Sequence, residues 1–269
     1  MCELLAVSSS QAARLTFSLR RLAAHGAATD LAHDGWGVAF YQGPDVALFR
    51  EPTAAADSAL VRFLERHGPG TQLALSHIRH ATWGAVQLSN TQPFIRELGG
   101  RTHAFAHNGY LTGIDTNASL VLDRDYPVGQ TDSEYAFCAL QARMRRLWGS
   151  AVVPALEDRL SILVDFAAEL RALGAVNFLY ADGDALFAHG HKRAAQLNGP
   201  LQAPGLWTLR RHRTPPHPDP VHMAGVIAEH GETSAVLIAS VPLTGEAWQP
   251  MGEGELIAVR DGQIVATRS

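Results

Sequence analysis

The chain has 269 residues, 46% of them hydrophobic, which is enough to build a sizeable core in one large domain or two small ones. Its 22 Lys and Arg against 26 Asp and Glu give a formal net charge of -4, and no basic run is interleaved with aromatic residues as a nucleic-acid groove requires. No apolar stretch approaches the roughly 20 residues that span a bilayer, and no basic and apolar leader is recognisable. We therefore expect a cytoplasmic globular protein with no nucleic-acid or membrane partner.

Runs typical of strands alternate along the chain with stretches of helical spacing. In chain order, the predicted strands are GWGVAFYQG (35–43), QLALSHIRHA (72–81), THAFAHNGYL (102–111), AVNFLYADGDALFAHG (175–190), GLWTLRR (205–211), SAVLIASVPL (234–243) and ELIAVRDGQIVATR (255–268). The predicted helices are AAADSALVRFLERHG (54–68), TDSEYAFCALQARMRRLWG (131–149) and PALEDRLSILVDFAAELRALG (154–174).

Two Asp-Gly pairs, Asp182-Gly183 and Asp261-Gly262, lie between apolar segments and predict tight hairpin turns. Antiparallel strands together with grouped helices indicate the α+β class and not a doubly wound parallel sheet. The Pro- and His-rich segment 209–225 breaks this pattern, and we predict an exposed loop there. Because the strands after it are needed to complete the sheet, we expect a single domain over residues 1–269.

One of the two cysteines, Cys2, directly follows the initiator Met. A thiol attacks only as a thiolate, so a nucleophilic cysteine needs a base nearby. If Met1 is removed, the α-amino group of Cys2 becomes that base, with a reference pKa near 8 and a covalent link to the thiol it serves. We therefore hypothesise that Cys2 is a nucleophile. The other cysteine, Cys138, lies among small and apolar residues of a predicted helix and is interpreted as a core residue.

Polar residues among glycines and aromatics gather in four short segments, HDGWG (33–37), SHIRHATWG (76–84), AHNGYL (106–111) and TDSE (131–134). Attack on an amide needs donors for the oxyanion, and the side-chain amide of Asn108 with the backbone N–H of Gly109 can supply them. The two charged ends of a small amino-acid substrate need a guanidinium and a carboxylate. Arg79 and Asp132 are the candidates for these two roles.

Each of these segments also has a structural explanation. Asn108-Gly109 is a common turn pair, and Arg79 could serve only in an ion pair. Thr131 and Glu134 fit a capping box that begins a helix. A capped helix would also fix Asp132 in place, so the two interpretations of that segment are compatible.

Taken in order, Cys2 and the segments DGWG, R-x-A-T-x-G, HNG and TDSE resemble the class II glutamine amidotransferases, which belong to the N-terminal-nucleophile hydrolases. The resemblance is closest to the small stand-alone members of the family. It extends over nearly the whole chain and includes PVGQTDSE and PLTGEAW. The fold that it implies is a four-layer αββα sandwich with two mainly antiparallel sheets.

The resemblance implies that Cys2 is the nucleophile and that Asn108 and Gly109 form the oxyanion hole. It also implies that Arg79 holds the glutamine α-carboxylate and Asp132 the α-ammonium. The further positions that it places around the substrate are Trp36, Gly37, Thr82 and His107. The best-known pattern of the family has Trp and His where this chain has His80 and Trp83, so the pocket departs from that pattern.

The implied activity is hydrolysis of the amide of glutamine, or of a γ-glutamyl compound, through a thioester on Cys2. The alternatives are a glutaminase subunit that serves a synthase partner, a self-sufficient γ-glutamyl amidohydrolase, and a non-catalytic binding or assembly domain; a homo-oligomer is also compatible with the sequence. We expect no cofactor. No metal is expected either, because no HExxH pattern occurs among the 13 histidines and His77 and His80 would lie on opposite faces of a strand.

Overall fold

The computed structural model describes residues 2–15, 34–81, 83–194, 199–213, 221–223, 226–228 and 233–269. Within these ranges the strands are β1 (Glu3–Leu15), β2 (Trp36–Gln42), β3 (Asp45–Glu51), β4 (Thr71–Ile78), β5 (Phe94–Leu98), β6 (Arg101–Gly109), β7 (Val176–Ala181), β8 (Leu186–His189), β9 (Arg193–Ala194), β10 (Leu201–Gln202), β11 (Trp207–Arg213), β12 (Val221–Met223), β13 (Val226–Ala228), β14 (Thr233–Ala239), β15 (Gln249–Pro250), β16 (Leu256–Arg260) and β17 (Gln263–Arg268). The helices are α1 (Ala59–His67), α2 (Asp132–Met144) and α3 (Leu156–Arg171), with short 3₁₀ turns at Leu88–Asn90 and Ile114–Thr116.

β1 is the central strand of the larger sheet. Among the described residues, this sheet has the order β15-β11-β14-β1-β4-β2-β3, and β13 pairs with both β1 and β12. Its pairings are antiparallel, and β1 pairs with β4 through Glu3↔Ile78 and with β14 through Leu5↔Ala239. Cys2, the residue before β1, therefore lies beside the residues that follow Ile78 at the end of β4.

The smaller sheet carries the other half of the predicted site. Its strand order is β17-β16-β8-β7-β6-β5, again with antiparallel neighbours. β6 pairs with β7 through Asn108↔Asn177. β9 and β10 form a separate two-stranded ribbon. Because β6 ends at Gly109, the predicted oxyanion donors stand at the end of a strand and not in a free turn.

The two larger sheets pack face to face around an apolar core. Residues of this core include Leu4, Ala6 and Leu75 from the larger sheet and Ala106 and Leu179 from the smaller one. Side chains alternate between the two faces of a strand, so the neighbouring residues point outward to the helices. Small alanines on both inner faces allow the sheets to approach closely.

Helices cover the outer faces of the sandwich. On the smaller sheet, Phe137 of α2 stacks on Phe105 and Phe166 of α3 contacts Phe178. On the larger sheet, α1 packs through Val61 and Leu64. The layers therefore follow the order α-β-β-α, and the predicted α+β sandwich with two antiparallel sheets is confirmed. None of the helices in the described ranges is long and apolar enough to cross a membrane.

Both predicted hairpins are present, but they use different turns. Between β16 and β17, Asp261 and Gly262 have φ of 49° and 71°, as a two-residue turn with left-handed central residues requires. Between β7 and β8 the last pair is Ala181↔Leu186, so that loop has four residues. There the Asp182 carboxylate accepts the N–H groups of residues 184 and 185 and widens the turn.

The sequence analysis missed three strands that matter for the site, β1, β3 and β5. β1 starts one residue after Cys2. The apolar run of residues 4–7 is the local pattern that would have predicted this strand. The predicted loop over 209–225 is wrong at both ends, since 209–213 belong to β11 and 221–223 form β12. Residues 214–220 and 224–225 of that segment lie outside the described residues.

A buried ion pair joins α3 to the wide hairpin loop. Arg159 is fully buried, and its Nη1 donates to the Asp182 carboxylate at 2.7 Å. Its Nη2 donates to the Asp184 carboxylate at 2.8 Å, and its guanidinium lies 5.6 Å from the centre of the Phe187 ring. Removing one partner of such a pair leaves a buried charge without compensation.

We predict that Arg159→Met lowers the free energy of unfolding by about 3–5 kcal/mol, because the Asp182 carboxylate stays buried without its partner. The control is Arg268→Ala, which breaks an exposed pair with Glu157 and is expected to cost about 1 kcal/mol or less. Urea-induced unfolding at pH 7 measures both. Equal losses for the two variants would contradict the interpretation of Arg159.

Candidate active site

Cys2 lies at the start of β1, next to the segment that follows β4. Its Sγ donates a hydrogen bond to the carbonyl of His80 and accepts one from the N–H of the same residue, both at 3.2 Å. Burial raises the pKa of the Cys2 thiol above its ordinary value of 9.0, whereas the His80 N–H acts in the opposite direction. The thiol is therefore neutral at pH 7 and needs a base before it can attack.

Asn108 reaches Cys2 from the other sheet. Its side-chain Nδ2 donates to the carbonyl oxygen of Cys2 at 2.6 Å, and the residue is buried. Because β6 and β1 belong to different sheets, no local sequence pattern could bring these two residues together. The structure thus places the predicted oxyanion donor against the backbone of the residue that carries the predicted nucleophile.

Gly109 is required by its backbone and by its surroundings. Its φ is +153°, which residues with a Cβ rarely adopt, and a Cβ added here would lie 1.9 Å from the carbonyl oxygen of Ala175. Only glycine lets the end of β6 pass so close to the start of β7.

The guanidinium of Arg79 organises the segment after β4. Its Nη atoms donate to four backbone carbonyls, those of Asp34 (3.5 Å), Trp83 (3.0 Å), Gly84 (3.1 Å) and Ala85 (3.1 Å). Arg79 is only 3% exposed, and burial lowers the pKa of its guanidinium. A contact between Arg79 and a substrate carboxylate stays a prediction.

Asp132 is the first residue of α2 and is held on both carboxylate oxygens. Oδ2 accepts the N–H of Leu111 at 2.7 Å, and Oδ1 accepts the N–H of Ser133 at 2.8 Å. Thr131 caps the helix by accepting the N–H of Glu134, so one half of the predicted capping box is present. The Glu134 carboxylate binds Gly129 N–H and Arg96 in its place.

A cavity of about 240 Å³ opens beside Asp132. Its walls include the aromatic rings of Trp83, Tyr110 and Tyr135, and its charged lining residues are Asp115 and Asp132. This lining favours a positively charged group. Cys2 and Asn108 are not among the described residues that line it.

His107 is not among the described residues that line this cavity. Its backbone N–H and carbonyl are both bound by the side chain of Gln92, at 2.6 and 3.1 Å, and its ring Nδ1 lies 2.9 Å from the Ser133 hydroxyl. Burial lowers the pKa of His107, and the Asp132 carboxylate opposes this shift. The predicted contact of His107 with substrate stays a prediction.

The remaining predicted residues lie at different depths. Trp36 is buried on the outer, helix-facing side of the larger sheet, and its Nε1 donates to the Glu51 carboxylate at 3.0 Å. A Cβ on Gly37 would lie 2.2 Å from the Gln92 carbonyl oxygen, so Gly37 lets that segment approach β2. Thr82 is outside the described residues. Substrate contacts of these three residues stay predictions.

Two buried amides that the sequence analysis did not identify connect the site loops. The Gln92 side chain binds the backbone N–H and carbonyl of His107 in β6. Asn90 is fully buried; its Nδ2 donates to the carbonyl of Ala85 and its Oδ1 accepts the N–H of Gln130. Asn90 therefore joins the Arg79 segment to the chain before α2. An Asn and a Gln two residues apart beside a proline carry no pattern that would have indicated this role.

Within the described ranges the side chains form no metal site. No group of three or more His, Cys, Asp or Glu side chains lies close enough together there to hold an ion. The chemistry that Cys2 and its neighbours offer is that of a thiol bound by a backbone N–H, with a side-chain amide donor at the carbonyl of the same residue.

We predict that Gly109→Ala lowers the free energy of unfolding by about 3 kcal/mol, because the added Cβ meets the Ala175 carbonyl. Gly43→Ala is the matched control, since Gly43 has a φ of +63° and no atom near its missing Cβ. That substitution is expected to cost about 1 kcal/mol. Urea unfolding compares them, and an equal cost would show that the contact with Ala175 is unimportant.

We also predict that alkylation of Cys2 by iodoacetamide, in the chain that retains Met1, still accelerates above pH 9, because burial raises the pKa of this thiol. Peptide mapping by mass spectrometry measures the rate at Cys2 separately from Cys138. A synthetic peptide of residues 1–9 is the control, and its rate should level off at a lower pH than that of the protein, because its exposed thiol has an ordinary pKa. A plateau at lower pH in the protein than in the peptide would contradict the prediction.

Comparison with known proteins shows the family of the chain. The family model described as class II glutamine amidotransferases matches residues 1–269. YafJ of Escherichia coli (strain K12), whose name marks it as a candidate glutamine amidotransferase, is 32% identical over 268 residues, which cover 95% of this chain and 96% of YafJ. An uncharacterized protein of Methanocaldococcus jannaschii is 30% identical over 271 residues, 98% of this chain and 71% of that protein.

Solved structures resemble the chain over nearly its full length. A predicted glutamine amidotransferase from Pseudomonas aeruginosa PA01 has 33% identity and a TM-score of 0.67, covering 98% of this chain and 100% of that one. The glutamine phosphoribosylpyrophosphate amidotransferase of Bacillus subtilis, at 16% identity and a TM-score of 0.58, covers 99% of this chain and 49% of that one and shows the shared fold alone. By its family match, its relatives and its αββα architecture, the chain belongs to the class II glutamine amidotransferases.

Proposed function

We propose that the chain hydrolyses the side-chain amide of glutamine, or of a γ-glutamyl compound, through a thioester on Cys2. The observation that carries the proposal is the contact of the Asn108 amide with the backbone of Cys2. The Asn108 amide lies 2.6 Å from the Cys2 carbonyl, while Cys2 Sγ lies 3.2 Å from the His80 N–H. A neutral, half-buried thiol that accepts one N–H, in a residue whose carbonyl accepts a side-chain amide, suits a nucleophile that is activated only when its base is present.

In the first half of the proposed reaction, removal of Met1 frees the α-amino group of Cys2, which takes the thiol proton. The Sγ–carbon bond forms, and negative charge develops on the amide oxygen. Asn108 Nδ2 and the Gly109 N–H donate hydrogen bonds to that oxygen. The carbon–nitrogen bond then breaks, and the departing nitrogen takes the proton held by the α-amino group, leaving as ammonia or an amine.

In the second half, water attacks the thioester carbon with the α-amino group again accepting a proton. The carbon–sulfur bond breaks, the proton returns to sulfur, and glutamate leaves. Asn108 and Gly109 stabilise the second oxyanion as they did the first. Each cycle therefore consumes one amide and one water and restores the thiol.

In this proposal, Arg79 and Asp132 hold the α-carboxylate and the α-ammonium of the substrate. Arg79 now donates to neutral carbonyls; a carboxylate is the stronger acceptor and can replace some of them. Asp132 borders a cavity with no basic side chain among its described lining residues, which suits an ammonium. Trp36, Gly37, Thr82 and His107 are proposed to shape the pocket around these groups within one domain over residues 1–269.

Two enzymatic roles follow from the same chemistry. A glutaminase subunit would turn over slowly alone and faster with a synthase partner that consumes ammonia. A self-sufficient γ-glutamyl amidohydrolase would prefer a larger amide to free glutamine. The third alternative, a binding or assembly domain, is weakened by the assembled contact of Cys2 with Asn108, which binding alone does not need.

We predict that protein whose first residue is Cys2, confirmed by intact mass, releases glutamate from L-glutamine or from a member of a γ-glutamyl amide panel. Cys2→Ala should lower this rate by at least about 10³-fold, since it removes the nucleophile. Protein that retains Met1 should lose activity similarly, because it lacks the free α-amino base.

Cys138→Ala is the matched control and should keep its activity, since Cys138 is a buried core residue. Full glutamate release by Cys2→Ala would overturn the proposed nucleophile. Full activity with Met1 retained would overturn the proposed base. A preference for free glutamine would favour the glutaminase subunit, and a preference for a larger γ-glutamyl amide would favour the self-sufficient amidohydrolase.

A further inference from the structure

Arg193 connects the nucleophile strand to a segment far away in sequence. Its Nη2 donates to the Glu3 carboxylate at 2.8 Å, and its Nη1 donates to the carbonyl of Ser240 at 2.6 Å. Ser240 in turn exchanges hydrogen bonds with Leu4: the Leu4 N–H donates to the Ser240 hydroxyl, and the Ser240 N–H donates to the Leu4 carbonyl, both at 3.0 Å. The first residues of β1 are therefore held from the side by one buried guanidinium.

Asn177 fixes the segment that carries Arg193. Its Nδ2 donates to the carbonyl of Lys192 at 2.8 Å, and its Oδ1 accepts the N–H of His191 at 2.7 Å. The same Nδ2 donates to the carbonyl of Asn108 at 3.3 Å. Asn177 is 1% exposed, and a Cβ on Gly205 would lie 1.7 Å from its Oδ1, so the amide has no room to turn.

These contacts form a closed path of hydrogen bonds and short backbone segments, called the circuit below, that begins and ends at Cys2 and Glu3. Starting from Cys2, it passes through the Asn108 amide, then Asn177, then the backbone of residues 191–193, then Arg193, and returns through Glu3. The Cys2–Asn108 contact alone is a single hydrogen bond between two sheets. The circuit adds a second connection between the same two ends through side chains that are almost wholly buried.

We propose that Arg193 and Asn177 are positioning residues that hold the Cys2 nucleophile at a fixed separation from the Asn108 oxyanion donor. This inference rests on the proposed function. Neither residue is placed in contact with substrate, so each acts through its neighbour, Arg193 through Glu3 and Asn177 through the backbone of Asn108. Displacement of a reacting group by about 1 Å can lower a rate about 10²-fold.

The test uses protein with Cys2 as its first residue and compares Arg193→Met, Arg193→Lys and Asn177→Ala with wild type. The matched control is Arg211→Met. The Arg211 side chain is 6% exposed against 11% for Arg193, and it also pairs with a glutamate, Glu246. Arg211 pairs with Ala235 of β14, and Ala235 pairs with Ser9 of β1. Ser9 is seven residues from Cys2, which is about 23 Å along an extended strand.

We predict that Arg193→Met and Asn177→Ala lower kcat for glutamate release by about 10- to 100-fold with KM changed less than about twofold. Arg193→Lys should recover part of kcat, because an ammonium can satisfy Glu3. Arg211→Met should keep the wild-type kcat even if it melts earlier. Unchanged kcat in Arg193→Met, or an equal loss in Arg211→Met, would overturn the proposal.

A second readout does not depend on turnover. If Arg193 holds the start of β1, Arg193→Met should raise the alkylation rate of Cys2 several-fold above that of Arg211→Met, because the half-buried thiol becomes more accessible. Equal rates would overturn the positioning role. If wild-type protein releases no glutamate, the proposed function fails, and the alkylation rates alone then decide the inference.

Discussion

The antiparallel pairing of β1 with β4 is the constraint on which the rest of the site depends. It places Glu3 opposite Ile78, so the residue before β1 meets the residues after β4. Cys2 Sγ can then bind the backbone of His80. Because β1 is an inner strand with β14 on its other side, its start cannot move without disturbing hydrogen bonds on both sides.

The second requirement is that the two sheets meet at the same place. β1 and β6 belong to different sheets, and the small side chains Ala6 and Ala106 lie in the core between them. This close packing lets the Asn108 amide span the gap to the Cys2 carbonyl. A separate constraint within the smaller sheet demands glycine at position 109, because a Cβ there would lie 1.9 Å from the Ala175 carbonyl oxygen at the start of β7.

Loops around the site are organised by buried polar side chains and not by regular structure. Arg79 gathers four carbonyls, Asn90 joins two loops, and Gln92 binds the backbone of β6. These side chains bind backbone N–H and carbonyl groups that have no strand partner. Without such bonds the buried backbone polar groups would be costly. A substrate carboxylate at Arg79 would exchange some of these contacts, so binding and loop shape are coupled in the proposed function.

The sequence alone determined the alternation of strands and helices, the hairpin at Asp261-Gly262, the α+β class and the residues of the motifs. These are local properties, set by side-chain periodicity and turn chemistry. Only the tertiary structure decided that β1 is central, that Asn108 contacts Cys2, that Trp36 faces the outer core and that Arg79 binds carbonyls. The first three depend on which strands pair and how closely the sheets and helices pack, and the contact of Arg79 depends on how the segment after β4 folds back on its guanidinium. Side-chain periodicity and turn chemistry encode neither.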